Sequence, residues 1–337
     1  MKKLKSEHWL GAFTGFYRPG ASDILALDPV SKFLYAARSV ILVISAQAAI
    51  IAGLLAAADR EHRWLHFILV LLGFVIAHMI SNLSNDYFGY KRGHDTPDSP
   101  RMRYTVHPLT SGVLSSRALL SGLAILAVLG MAIAAFFIFE HGWLVAAFLI
   151  TGIALLFWYD AAPVPLKSIG LGEVAVFVVW GPLMIGGGYA AITGHLSADA
   201  FYISIPYGLG VMSILIGKHI DQHDFDLGKG IHTLPVLLGT PTARTINMVA
   251  ITLMYVITAI LILLQDLTPF AGLTLIALPR AVRALSILRN PCPATAPTGY
   301  VGWPLWYHRV CLLHNRAFGW LYIFGLAIGA IWQNLHS

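Results

Sequence analysis

The sequence predicts an all-α, polytopic membrane protein with nine transmembrane helices, and three observations carry that expectation. Hydrophobic residues fill 57% of the 337 positions, whereas charged residues fill only 11%. Soluble domains are about 25% charged, so a soluble globular enzyme, a disordered tail protein and a secreted disulfide scaffold are excluded together. The mean hydropathy of +0.72 agrees. The apolar residues also fall into nine stretches, each close to the ~20 residues that a helix needs to cross a bilayer.

Taken in order, the stretches are Val40–Ala58, Trp64–Ser84, Ala118–Phe139, Trp143–Tyr159, Leu171–Ile192, Ala200–Gly217, Thr245–Leu264, Leu267–Leu288 and Phe318–Leu335. Before them, Met1–Leu10 carries Lys2, Lys3 and Lys5 with no apolar run behind, which argues against a cleaved signal peptide. Ile24–Tyr35 is expected as a helix lying at the interface. The connections Glu140–Gly142 and Gln265–Asp266 are so short that they demand antiparallel neighbours. Pro291–Gly302, with Pro291, Pro293 and Pro297, reads as a loop, and Trp303–Tyr307 as a surface segment. Within the spans, Gly186–Gly188 and the pair Gly325 and Gly329 read as helix-packing positions rather than phosphate loops. No internal repeat stands out, and residues 1–337 are read as a single domain.

The basic residues orient the chain. With the N-terminus in the cytoplasm, of the 22 lysines and arginines only Arg60 and Arg63 fall outside. So lopsided a split predicts N-in and C-out, with the net charge of +6 arising from topology. It does not imply nucleic acid. Cys292 and Cys311 form no CxxC pair and allow at most one disulfide, so redox and metal chemistry on sulfur is a weak reading.

The acids mark the site. Of the 16, eight (Asp86, Asp95, Asp98, Asp160, Glu173, Asp221, Asp224 and Asp226) lie in three connections on the cytoplasmic side: Asn85–Arg117, Tyr159–Glu173 and Lys218–Arg244. Carboxylates at the end of a span must be solvated, paired or metal-bound. Asn82, Asn85 and Asp86 share one face of the second helix. Gly89 and Gly93 let that helix end, so Asp95 can turn back toward the same point. Asp221 and Asp224 are expected on one face of the sixth helix, with Asp226 just beyond. Two oxygen-rich clusters beside lysines and arginines suit Mg²⁺ and a diphosphate, because hard cations take oxygen and basic side chains hold the remaining phosphate oxygens. The plainer reading, two solvated loop caps, is weakened by finding both on the same side.

These motifs resemble the UbiA superfamily of intramembrane prenyltransferases over nearly the whole chain. Asn82-Leu-Ser-Asn85-Asp86-Tyr87 with Asp95 matches the first aspartate-rich motif, and Asp221 with Asp226 the second. Lys229 through Gly239, His107 through Gly112, and Tyr159 through Pro163 with Lys167, Gly170 and Glu173 are also similar. Two positions depart. Gly89 stands where the family commonly has a further aspartate, and Asp221 and Asp226 are five residues apart where four is usual. The resemblance is nearest to the dihydroxynaphthoate branch, in which a residue like Asp95 takes over from the missing ligand.

The resemblance implies a Mg²⁺-dependent enzyme that transfers an isoprenoid chain from a prenyl diphosphate to an aromatic quinone precursor, as in menaquinone-type synthesis. It implies Asp86, Asp95, Asp221 and Asp226 as catalytic, Asp86, Asp95, Asp221, Asp224 and Asp226 as metal ligands, and Asn82, Lys91, Tyr159, Lys167, Lys218 and Lys229 as substrate-binding. The implied partners are a prenyl diphosphate, an aromatic small-molecule acceptor and membrane lipid, at a multi-pass plasma or inner membrane with the site facing the cytoplasm. Tyr87, Tyr90, Trp158 and Tyr159 could face a carbocation, although tyrosines at span ends more often form an interfacial belt. Asp160 and Glu173 are expected to pair with Lys167. The alternative function is a membrane terpene cyclase using the same site without an acceptor. A transporter fits less well, because its ionisable groups belong near the midplane. His219 and His223 have zinc-helix spacing, but Ile220 stands where the motif needs Glu, and His308 and His314 read as interfacial.

Overall fold

The computed structural model describes residues 5–14, 21–103, 105–300 and 302–336; Lys2, Lys3 and Arg18 of the orientation argument lie outside them. Among the described residues, nine helices are long and apolar enough to cross a membrane: α1 Ser39–Ala58, α2 Trp64–Lys91, α3 Ser116–His141, α4 Trp143–Ala161, α5 Gly172–Thr193, α6 Ala198–Asp221, α7 Thr240–Leu263, α8 Pro269–Arg289 and α9 Tyr307–His336. Among the described residues there is no strand, only one parallel bridge between Ile169 and His232. Two short helices, Ala21–Leu25 and Pro29–Ala36, occupy the segment expected at the interface. Asp28 caps the second by accepting the amides of Val30 and Ser31, both at 3.1 Å.

Local sequence sets the helix ends. Ser115 and Ser197 cap α3 and α6 through the amides of Ala118 (3.1 Å) and Ala200 (3.3 Å). Only Gly142 separates α3 from α4, and its positive φ of 62° makes so tight a reversal possible. The middle of the bundle is α5 and α6, whose most apolar windows are 67% and 72% buried against 11% for α3. These two helices touch backbone to backbone: a Cβ on Gly208 would lie 3.0 Å from the Gly181 Cα. Gly181, with φ −97° and ψ −108°, and Pro182 break α5 into a π-helical stretch there. Further glycines in the spans also pack closely, with Phe201, Phe148 and Phe74 against Gly186, Gly187 and Gly188 of α5, and the start of α8 against Gly325 of α9.

Three spans differ from the expected ones, the first being α2, which runs on to Lys91, seven residues past Ser84. α8 starts as a 3-10 helix over Pro269–Ala277; at its end Pro279 has no N–H to give the Leu275 carbonyl, and the Leu278 amide takes it instead. α9 begins at Tyr307, eleven residues before the expected Phe318, so the segment read as interfacial runs into the helix. Its polar first turns are buried against other helices. His314 bonds to the Tyr255 hydroxyl at 2.8 Å, His308 to the Ile214 carbonyl at 3.2 Å, and Arg316 to the Val40 carbonyl at 2.8 Å. His314 is therefore a core histidine rather than an interfacial one. Both cysteines are free, Cys292 exposed and Cys311 buried.

Candidate active site

The first cluster forms where α2 ends. Asn82 and Asp86 are one helical turn apart on its buried face. The Asn82 amide donates to the Ala37 carbonyl at 3.0 Å. Asp86 is completely buried and held by two arginines, Arg38 and Arg101, the latter gripping both carboxylate oxygens with its Nη2 2.9 Å from Oδ2. Gly93 at φ 70° closes the helix, and the amides of His94 and Asp95 return to the Gly89 carbonyl at 3.0 and 3.3 Å.

That return puts Asp95 directly over Gly89. A Cβ on Gly89 would meet the Asp95 Oδ2 at 2.0 Å. The space a side chain at position 89 would fill thus holds the Asp95 carboxylate. His107 supports it: Nδ1 accepts the amides of Leu109 (3.3 Å) and Thr110 (3.2 Å), which leaves Nε2, 3.4 Å from Asp95 Oδ2, to carry the proton. The Thr110 hydroxyl donates to the Asp95 carbonyl at 3.2 Å. Burial opposes ionisation of Asp95, but His107 and Arg101 outweigh it and hold the carboxyl below its ordinary value.

The second cluster is more dispersed than the sequence suggests. α6 stops at Asp221, Gln222 leaves helical geometry, and a separate helix covers His223–Gly228. Asp221 and Asp224 therefore do not share a helical face. Asp221 accepts the amides of Tyr307 (3.0 Å) and His308 (2.9 Å), and the Trp306 amide also bonds to it, so its carboxylate caps α9. Asp224 is exposed and bonds to His223 at 2.8 Å. Asp226 is buried, 3.5 Å from the Thr233 hydroxyl. Burial pushes its carboxyl above the usual range, against the pull of His219, Lys218 and Lys167. His219 and His223 are divided by the same break. Among the described residues no three acidic, histidine or cysteine side chains group closely enough to hold a metal.

The third connection ties these parts together. Lys167 reaches Asp160 at 2.5 Å and the Asn85 amide oxygen at 3.0 Å. Arg92 donates to the carbonyls of Asp160, Ala161 (3.2 Å) and Ala162 (2.7 Å) at the π-helical end of α4. The His232 amide bonds to the Ser168 carbonyl at 3.2 Å. Glu173 pairs with His219 at 2.7 Å, not with Lys167 as expected, and also accepts the Leu234 amide at 3.3 Å. At the centre, burial, then Lys167 and Arg92, push the His94 imidazole below its ordinary value against the pull of Asp95, with Lys229 adding to the effect. This end of the bundle therefore combines hard oxygen donors with a surplus of cations, a combination suited to a metal-bound polyphosphate.

The other expected residues are spread around this centre. Lys91 is exposed and lies over the Tyr87 ring at 5.8 Å, while Lys229 lies over Phe225 at 5.6 Å. Lys218 and Tyr159 are half-buried, and Tyr90 and Trp158 are exposed. Arg38, Arg101 and Arg92 had no place in the sequence reading of the site. A fully buried carboxylate demands a counter-charge, but spacing does not name it.

Residues 46–298 match the UbiA prenyltransferase family. The chain belongs to that family. This UbiA member is therefore a prenyltransferase by class. It is 25% identical over 231 residues to 1,4-dihydroxy-2-naphthoate octaprenyltransferase of Bacillus subtilis, covering 67% of this chain and 72% of that one. It is 30% identical over 210 residues to 2-carboxy-1,4-naphthoquinone phytyltransferase of Synechocystis, covering 60% and 64%. Its fold is similar to the apo structure of a UbiA homologue from Aeropyrum pernix, with a TM-score of 0.62, 16% identity and coverage of 86% and 96%. It is also similar to a UbiA homologue from Archaeoglobus fulgidus bound to GPP and Mg²⁺, with a TM-score of 0.56, 15% identity and coverage of 88% and 99%.

Proposed function

We propose that this UbiA member transfers an isoprenoid chain from a prenyl diphosphate to an aromatic, dihydroxynaphthoate-like acceptor with Mg²⁺ as cofactor, in a site facing the cytoplasm. The position of Lys167 carries the reading. It touches Asn85 of the first motif, pairs with Asp160, and its charge acts on both His94 and Asp226. Such a lysine joins the two aspartate clusters into one anion site. The naphthoate and naphthoquinone prenyltransferases among the relatives support the acceptor class.

The donor set fits Mg²⁺. Asp95 and Asp226 are oxygen donors at the acid-rich end, and the buried Asp226 carboxyl is disfavoured as a bare anion, so a divalent cation there relieves that penalty. Asp95 and Asp226 would hold the metal, since Arg38 and Arg101 take up Asp86 and the backbone at the start of α9 takes up Asp221. Bound Mg²⁺ neutralises a diphosphate as it leaves. Lys167, Lys218 and Lys229 hold the other phosphate oxygens, and Arg38 and Arg101 supply further charge beside Asp86. Asp224, exposed and paired with His223, is proposed to act only at the outer edge of the site.

The test incubates purified protein with Mg²⁺, prenyl diphosphates of several lengths and candidate aromatic acids. Pyrophosphate release that requires the acceptor supports transfer. Release without acceptor, accompanied by a hydrocarbon, supports the cyclase instead. No release from wild type under any of these conditions sinks both.

A further inference from the structure

The geometry points to a binding site for an anionic phospholipid in the groove between α7 and α8, on the leaflet that meets the acid-rich end. The groove has a volume of about 350 Å³ and lies on the outer surface of the bundle. Its walls are Met248, Val249 and Leu253 from α7 and Leu285 from α8. Thr245 and Thr252 also line it, but their hydroxyls are turned back to the Pro241 (3.2 Å) and Met248 (2.9 Å) carbonyls. What they present is therefore mostly apolar, as an acyl chain requires. Arg289, in the last turn of α8, closes the groove.

The charge chooses the occupant. Arg280, Arg283 and Arg289 are all exposed, and no carboxylate among the described residues pairs with any of them. Arg283 lies six residues and Arg280 nine residues before Arg289, about 9 and 13 Å further down the helix axis. Exposed arginines within a span are costly unless something anionic comes to them. A lipid phosphate at Arg289, with its chain along Met248, Val249 and Leu253, matches both the charge and the apolar wall. The same helix end belongs to the catalytic side, because the Asn290 carbonyl accepts the Tyr307 hydroxyl at 2.7 Å and Tyr307 is held by Asp221. The site is nevertheless separate, since none of its lining residues belongs to the aspartate clusters.

Native mass spectrometry of the full chain, released from detergent containing equal phosphatidylglycerol and phosphatidylcholine, reads the occupant directly. Wild type is expected to retain phosphatidylglycerol over phosphatidylcholine. Arg289→Gln is expected to lower that retention about tenfold, the loss of one charge-assisted contact. Val249→Trp, which fills the groove, should do the same while leaving acceptor-dependent turnover unchanged, which shows that the fold is intact. Equal retention of the two lipids, or undiminished phosphatidylglycerol in both variants, overturns the proposal. So does displacement of the lipid by geranyl diphosphate, which would assign the groove to substrate.

Discussion

Replacing Gly89 with alanine separates stability from activity in a direction that few substitutions allow. Gly89 lies in the last turn of α2, where alanine is favoured over glycine by up to about 1 kcal/mol. The added Cβ would come within 2.0 Å of the Asp95 Oδ2, whereas ordinary contact begins at 3.4 Å, so the carboxylate must retreat by about 1.4 Å. The end of a side chain can make that retreat, and the next atom, Cγ at 3.1 Å, needs to yield only slightly. Folding should therefore be unharmed or slightly improved. A catalytic group displaced by ~1 Å can lose about a hundredfold in rate. Gly89→Ala is thus expected to keep or raise the thermal midpoint while cutting acceptor-dependent pyrophosphate release by roughly a hundredfold. Gly89→Asp combined with Asp95→Ala, which returns a carboxylate to the same space, should recover part of the activity that Asp95→Ala loses. Full activity in Gly89→Ala would refute the role given to Asp95.

Three further outcomes follow from particular contacts. Asp221→Ala removes the cap on α9 and should destabilise by about 1–2 kcal/mol, while Asp221→Asn, which keeps one acceptor, loses less; a thermal midpoint unchanged in both variants contradicts the cap. Glu173→Ala strips the partner from buried His219 and from the Leu234 amide, so denaturation should show a loss of about 1–3 kcal/mol, and no loss would deny that link. Although Cys292 is exposed as a residue, the protein around its sulfur partly desolvates the thiol and, with the charge of Asp221, pushes it up to about 11 from 9.0. At pH 8 roughly one thiol in a thousand is then ionised, so maleimide labelling of Cys292 should be slow and rise about tenfold per pH unit up to pH 10. Labelling already at its plateau at pH 8 contradicts that environment.

The fold was largely legible because hydropathy is coarse and strong. Spans such as Trp143–Tyr159 and Leu171–Ile192 are displaced by only a few residues from α4 and α5. The start of α9 escaped because its first turns carry His308, Arg309, His314, Asn315 and Arg316, which a hydropathy window reads as outside the membrane. Their partners, Ile214, Tyr255 and Val40, are distant in sequence, so burial against other helices was not visible. In the site, local pattern placed Asn82 beside Asp86 and Asp95 back over Gly89, since a helix and a glycine turn dictate both. It failed at Gln222, where one residue out of helical geometry separates Asp221 from Asp224. It also could not name Arg38 and Arg101 as the partners of Asp86, or His219 as the partner of Glu173. Those pairings depend on which connections meet in space.

The central claim is that two aspartate clusters, far apart in sequence, form one diphosphate site. Calorimetric binding of an unreactive prenyl thiodiphosphate with Mg²⁺ tests it most directly, using wild type, Asp95→Ala, Asp226→Ala and the double variant. A shared site predicts strong coupling, with the double variant binding little worse than either single one. Losses that simply add, or binding that persists without Mg²⁺ in all four proteins, would contradict it.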